Sequence, residues 1–393
     1  MDPIHTNPSP RWAPFALGFR PFFLLAGLAA VLLLGAWLAL AVGELPPPAH
    51  YDLVGWHSHE MLFGYIAAVI AGFLLTAVRN WTGVDTPTGA PLAALAALWL
   101  LARLLPWLPG VPGLAVALVD LVFLPALALA LAGPLRAGRN RMNLVMLPLL
   151  LAMTLANAIV HARALGWSDL PATVGTRLML DLVLALVLLV GGRVMPFFTE
   201  TGVAGARPRV RRPVELAGVV LMALLIALHL AGVSGAALAA VAGTMAAVQA
   251  ARLAGWYQRG VFGVPILAVL YSGYAWLVAG FALHALAALG LFVPSAATHA
   301  FTVGALGVLT LGMMARVALG HTGRPMRSVL AIDVAFVLLN AAALVRVFLT
   351  GFFPAGHGTW LYLSGFLWLA AFLLFVGIYA PILLRPRADG NPG

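Results

Sequence analysis

The chain has 393 residues, 63% of them hydrophobic and only 9% charged, against roughly a quarter charged in a soluble domain, so a soluble enzyme is excluded. It contains no cysteine, which removes disulfides, thiolate metal sites, iron–sulfur clusters and covalent haem attachment. All 22 basic residues are arginine, giving a net charge of +10, and the lack of lysine removes Schiff-base chemistry.

A membrane-spanning helix needs roughly 20 mostly apolar residues. Twelve runs meet that need, in chain order at 20–43, 57–79, 90–107, 114–132, 141–164, 176–196, 213–232, 235–254, 264–290, 296–319, 327–350 and 358–384. The third and fourth are short and joined by a Pro/Gly-rich turn from Pro106 to Gly113. Runs this long do not alternate in polarity, so they predict helices rather than barrel strands. The predicted fold is an all-α polytopic membrane bundle, with a tail at 1–19, a twelve-helix domain over 20–384 and a second tail at 385–393. The first tail is polar and Pro-rich and lacks the apolar core of a signal peptide, so no cleaved signal is expected.

Arginine placement sets the orientation, because cytoplasmic loops are enriched in basic residues. Arg11 and Arg20 precede or open the first run, and Arg385 and Arg387 follow the last. The even-numbered connections and the helix ends beside them carry Arg79, Arg136, Arg139, Arg141, Arg193, Arg207, Arg209, Arg211, Arg212, Arg252, Arg259, Arg316, Arg324 and Arg327. The opposite side keeps only Arg103, Arg163, Arg177 and Arg346. Both termini are therefore expected in the cytoplasm. The cluster from Arg207 to Arg212 reads as a positive-inside anchor against the lipid bilayer, and no nucleic-acid partner is expected.

Eight of the ten histidines, His50, His57, His59, His161, His229, His284, His299 and His357, fall in outer loops or outer halves of the runs. Only His5 and His321 lie toward the cytoplasm. Ionisable groups inside a membrane are costly and usually functional, and histidine is a leading metal and haem ligand. A ligand-binding zone near the outer face follows, with His5, His50 and His357 read as ordinary loop residues. A repeat accompanies it. Runs 2, 6 and 10 end alike, with Arg79 before Trp81-Thr82-Gly83, Arg193 before Thr201-Gly202 and Arg316 before Thr322-Gly323, which suggests three four-helix units.

The richest segment is Trp56 to Gly64. Helical residues two apart point about 200° apart, so His57 and His59 are expected on opposite flanks, serving two different centres. Glu60 shares a face with His57 and can orient that imidazole or relay a proton. His299 opens the tenth run at matching depth, whereas His321 closes it on the order of 33 Å away and cannot share its site. Asn157 and His161 share a face near the end of the fifth run, and His229 and His284 are further candidate metal ligands. Around a haem, Arg103, Arg163, Arg177 and Arg346 can pair with propionates; the competing partners are Asp120, Asp169 and Asp181.

The motifs WHSHEMLFG (56–64), IAGFLLTAVRNWTG (70–83), GGRVMPFFTETG (191–202) and LGMMARVALGHTGR (311–324) closely resemble the NnrS family, over nearly the whole chain. The resemblance implies a haem- and copper-containing membrane protein linked to nitric oxide, denitrification and nitrosative stress. His57, His59, Glu60, Arg79, Trp81, His161, Arg193, His299, Arg316, His321 and Arg324 match family motif positions, while His229 and His284 fall outside them.

The expectation is then an inner-membrane protein with b-type haem, two of them, and copper as a further metal. His299 is expected to complete the axial pair of one haem with His59, ahead of His57. The second haem is expected against His161, ahead of His229 or His284, with His321, Arg163, Arg177 and Arg346 as further cofactor contacts. The expected activity is reduction or detoxification of nitric oxide at the outer face, with Glu60 supplying protons and a quinol or periplasmic carrier supplying electrons. A non-catalytic protein that binds nitric oxide or protects metal pools is the alternative, and a transporter the third reading.

Overall fold

The computed structural model describes residues 12–391; His5 and Arg11 lie outside them. Every regular element among the described residues is helical, and twelve helices are long and apolar enough to cross a membrane. In chain order they are α1 (Phe19–Ala41), α2 (Leu53–Thr82), α3 (Gly89–Trp107), α4 (Gly113–Ala137), α5 (Arg141–Ala164), α6 (Ala172–Gly202), α7 (Arg212–Leu230), α8 (Ala236–Trp256), α9 (Pro265–Ala288), α10 (Pro294–His321), α11 (Leu330–Phe352) and α12 (Pro354–Leu384).

The helices outrun the hydropathy pattern where polar residues are helical. The second begins at Leu53, not at 57, because the Asp52 carboxylate accepts the Gly55 backbone N–H at 2.6 Å and caps it. The sixth continues through Pro196 to Gly202, since a helix inside a bundle tolerates the hydrogen bond that proline removes.

Successive helices pack side by side, and α12 closes the ring against α1. The chain's two ends therefore meet at one face, as an even number of spans requires. There Ala13 N–H donates to the Leu384 carbonyl at 2.8 Å, and the Arg20 guanidinium donates to the Leu383 and Arg385 carbonyls.

Three helices are buried more than the rest: α2 at 83%, α6 at 67% and α10 at 67%. They are the three that end alike in sequence, and their arginine-rich ends interlock. The Arg193 guanidinium of α6 lies 5.8 Å over the Trp81 ring of α2, and Arg316 of α10 lies 4.0 Å over Phe198 of α6. Asn80 of α2 meets His321 of α10 at 3.4 Å. The most buried helices thus recur at every fourth position along the chain.

Both α2 and α10 widen into π-helical turns, at Glu60–Ile66 and Ala300–Gly307, directly after His59 and His299. Such turns are frequent at functional sites because they re-aim side chains without ending the helix. Close neighbours demand glycine here: a Cβ on Gly304 would stand 2.7 Å from the Trp276 ring.

Candidate functional site

Two arrangements of opposite electrostatic character stand at the histidine-rich end, on either side of α2. The first is a cavity of about 490 Å³. Its walls hold His57 of α2, Arg177 of α6, His299 of α10, Arg346 of α11 and His357 of α12, set in an apolar frame that includes Trp37, Leu62, Leu180 and Trp368. The His57 ring stacks on Trp37 at 4.3 Å and 20°, and its buried Nδ1 has no hydrogen-bond partner. His299 Nδ1 lies 2.6 Å from the Ser295 carbonyl oxygen. A carbonyl only accepts, so the proton sits on Nδ1 and the Nε2 lone pair is left for a ligand.

No carboxylate lines this cavity. Arg177 makes no ion pair among the described residues, and Arg346, buried, has only the Thr350 hydroxyl at 3.4 Å. Two guanidiniums without a counter-charge favour an anion. His57 and His299, the two guanidiniums and the apolar walls supply the imidazole ligands, propionate partners and apolar frame that a haem needs.

The second arrangement is compact and acidic. His59, Asp120 of α4 and His161 of α5 present ligand atoms all within 4.8 Å of one another, and all three are buried. Asp120 Oδ2 lies 3.1 Å from His59 Nε2 and 3.0 Å from His161 Nε2, and it accepts the Asn157 side-chain amide at 2.6 Å. Arg103 of α3 donates to the other Asp120 oxygen and to Glu60 Oε1, the latter at 2.9 Å. Glu60 Oε1 also lies 3.0 Å from His59 Nδ1.

His59 therefore faces an acceptor at each nitrogen: Glu60 at Nδ1, and Asp120 and the Asn157 carbonyl oxygen (3.1 Å) at Nε2. A neutral imidazole has one N–H to give. Its other nitrogen faces oxygens that call for a further positive charge, a second ring proton or a bound cation. Formal charge agrees, since two carboxylates face one guanidinium. The donor set of imidazoles and a carboxylate fits a transition-metal ion.

Loop residues complete the cluster. His50 Nε2 lies 2.9 Å from His161 Nδ1, and the Tyr51 ring packs 4.8 Å from His59. Burial, with His161 and His59 beside it, pushes the His50 imidazole down to about 4, so it is neutral at neutral pH. Gly64 leaves the space for this: a Cβ there would stand 3.1 Å from both Arg103 Nη1 and Glu60 Oε2.

Several sequence expectations are corrected. His299 shares its cavity with His57, not His59, because the flank of α2 that carries His57 is the one turned toward α10 and α11. Glu60 engages His59 rather than His57, its immediate neighbour lying nearer to the carboxylate than the residue one turn back. At His161 the structure sets Asp120 between the two imidazoles, its Oδ2 within hydrogen-bond distance of both His59 Nε2 and His161 Nε2. Arg163 pairs with exposed Asp169 at 3.8 Å, away from both centres. His321 lies at the opposite, arginine-rich end beside Asn80 and Phe19.

His229 and His284 join neither centre. They form a separate chain in which Asp181 lies 2.7 Å from His229 Nδ1 and the two Nε2 atoms stand 3.0 Å apart. Conversely, His50 and His357, read from sequence as ordinary, belong to the cluster and the cavity. Asp120 was legible only as a buried charge in need of a partner.

The order of these helices and motifs matches a known family over nearly the full length: the family model for NnrS protein matches residues 13–387. The chain belongs to the NnrS family. No curated protein matches it. NnrS membership suggests a nitric-oxide-related membrane protein with metal or haem binding. The His59–Asp120–His161 cluster is the candidate metal site in this NnrS chain.

Proposed function

We propose that the protein is a haem protein of the bacterial inner membrane that reduces or detoxifies nitric oxide near the outer face. The observation that supports this most is the placement of an anion-seeking cavity with two imidazoles and a cation-seeking His/Asp cluster on opposite flanks of a single turn of α2. On this reading His57 and His299 would hold the iron of a b-type haem, and Arg177 and Arg346 its propionates. His59, His161 and Asp120 would hold a metal ion, copper being our assignment. When bound, these groups supply one-electron redox chemistry and a coordination position for a diatomic ligand.

The chain's own residues do the rest. The Ser295 carbonyl fixes the tautomer of His299, and Trp37 fixes the plane of His57. Arg103 holds Glu60 and Asp120 together, offsetting their charge. Glu60 Oε2 is buried without a partner, so this oxygen can carry a proton beside the cluster, and nitric oxide reduction consumes protons as well as electrons. Electrons would come from a quinol or a periplasmic carrier.

Anaerobic nitric oxide consumption by detergent-purified, haem-replete protein with a reductant tests this directly. Consumption that scales with protein supports the reductive reading. Protein that binds nitric oxide without turnover selects the non-catalytic alternative, and protein without extractable haem overturns the assignment.

A further inference from the structure

The cleft between α2, α6 and α10 does not end at the outer cavity. Further along the same three helices, with α9 on one side, lies a second, partly open chamber of about 100 Å³. Val69, Phe73, Leu186, Val190, Leu309 and Met313 line it, and its wall exposes only apolar surface.

That surface is apolar by arrangement. Tyr274 contributes its ring, while its hydroxyl turns away, donating to Gln249 Oε1 at 2.6 Å and accepting from Arg252 at 2.8 Å. Thr310 contributes its methyl, its hydroxyl donating to the Leu306 carbonyl at 2.6 Å and meeting Tyr65 at 2.5 Å. An ion or a water molecule has nothing to bond there. An enclosed apolar cavity of about 150 Å³ takes up xenon, so the size and lining of this chamber suit a small apolar gas.

The chamber and the outer cavity share two wall residues, Ile66 and Leu306. Both are buried and both belong to the π-helical turns of α2 and α10. At the arginine-rich end, the Arg193–Trp81 and Arg316–Phe198 stacks tie the three helices together. The chamber adjoins the cavity at Ile66 and Leu306.

We propose that this chamber is a holding site for a small uncharged gas, which passes between Ile66 and Leu306 into the outer cavity. The identity of the gas as nitric oxide rests on the function proposed above; the site itself does not. Nitric oxide is apolar enough to collect at this depth of a bilayer, and the chamber is too small and too apolar for a cofactor or a polar substrate.

Xenon and carbon monoxide are the probes. Xenon nuclear magnetic resonance on the detergent-purified full chain should show a saturable bound signal, lost in Val190→Phe and in Met313→Phe, which fill the chamber from opposite walls. In both variants the haem spectrum should be unchanged. In a His299→Ala background, where one imidazole is removed and a position is free for a diatomic ligand, carbon monoxide rebinding after photolysis should change its fast, cage-like fraction when the chamber is filled. No bound xenon in the unmodified protein, or rebinding unaltered in a folded variant that has lost the xenon signal, would overturn the proposal. Protein lacking haem would overturn the proposed function and leave the xenon measurement as the test of the chamber.

Discussion

His57 and His59 are two positions apart on α2 and share no partner: His57 stacks on Trp37 at 4.3 Å, while His59 contacts Asp120 at 3.1 Å. The helical turn between them divides a cavity lined by guanidiniums from a cluster rich in carboxylates. Any cofactor held by one imidazole is thus tuned by charges of the opposite sign from those acting on the other.

Replacing His299 with Ala should remove one low-spin haem signal in electron paramagnetic resonance and leave the metal content of the acidic cluster unchanged. His57→Ala should behave the same way, because both imidazoles face one cavity. An unchanged haem signal in both variants would sink the axial pairing.

Asp120→Asn and His161→Ala should lower bound transition metal, measured by elemental analysis after chelator challenge, and leave haem content unchanged. Losing a directly coordinating carboxylate should cost at least as much as losing an outer partner, roughly 10–100-fold in affinity. Metal retained at one equivalent in both variants would contradict the site.

Arg103 bridges two buried carboxylates, with Glu60 Oε1 at 2.9 Å and Asp120 on its other arm. Removing one partner of a buried ion pair costs about 3–5 kcal/mol, so Arg103→Leu should lower the melting temperature in detergent markedly. Arg103→Lys should recover only part of it, since an ammonium cannot span both carboxylates in the same plane. A melting temperature unaffected by Arg103→Leu would mean that the network carries little stability.

The double variant Arg177→Leu, Arg346→Leu should weaken haem retention and shift the haem midpoint potential downward, because two positive charges leave the cavity. A redox titration alongside a haem-loss assay measures both. Unchanged values would remove these arginines from the cofactor's surroundings.

Reporter fusions after Arg212 and after Arg387 should report cytoplasm, and one between Gly351 and Gly358 the outside. The inverse result would place the histidine-rich end in the cytoplasm and reverse the side from which electrons and protons arrive.

Much of the architecture could be read from the chain itself. Hydropathy alone determined twelve helices, because lipid leaves no other way to satisfy the backbone. Periodicity set His57 and His59 on opposite flanks, a purely local property of helix geometry. The repeated endings at Arg79, Arg193 and Arg316 marked α2, α6 and α10, which fold as the inner trio. What neither hydropathy nor periodicity carries is azimuth, meaning which neighbour each flank meets. Only the packed bundle brought His299 to His57, Asp120 to His59, and the loop residues His50 and His357 to the two centres. Lateral contacts between helices depend on close fits such as Gly304 against Trp276, and these are decided between segments distant in sequence, where no local pattern reaches.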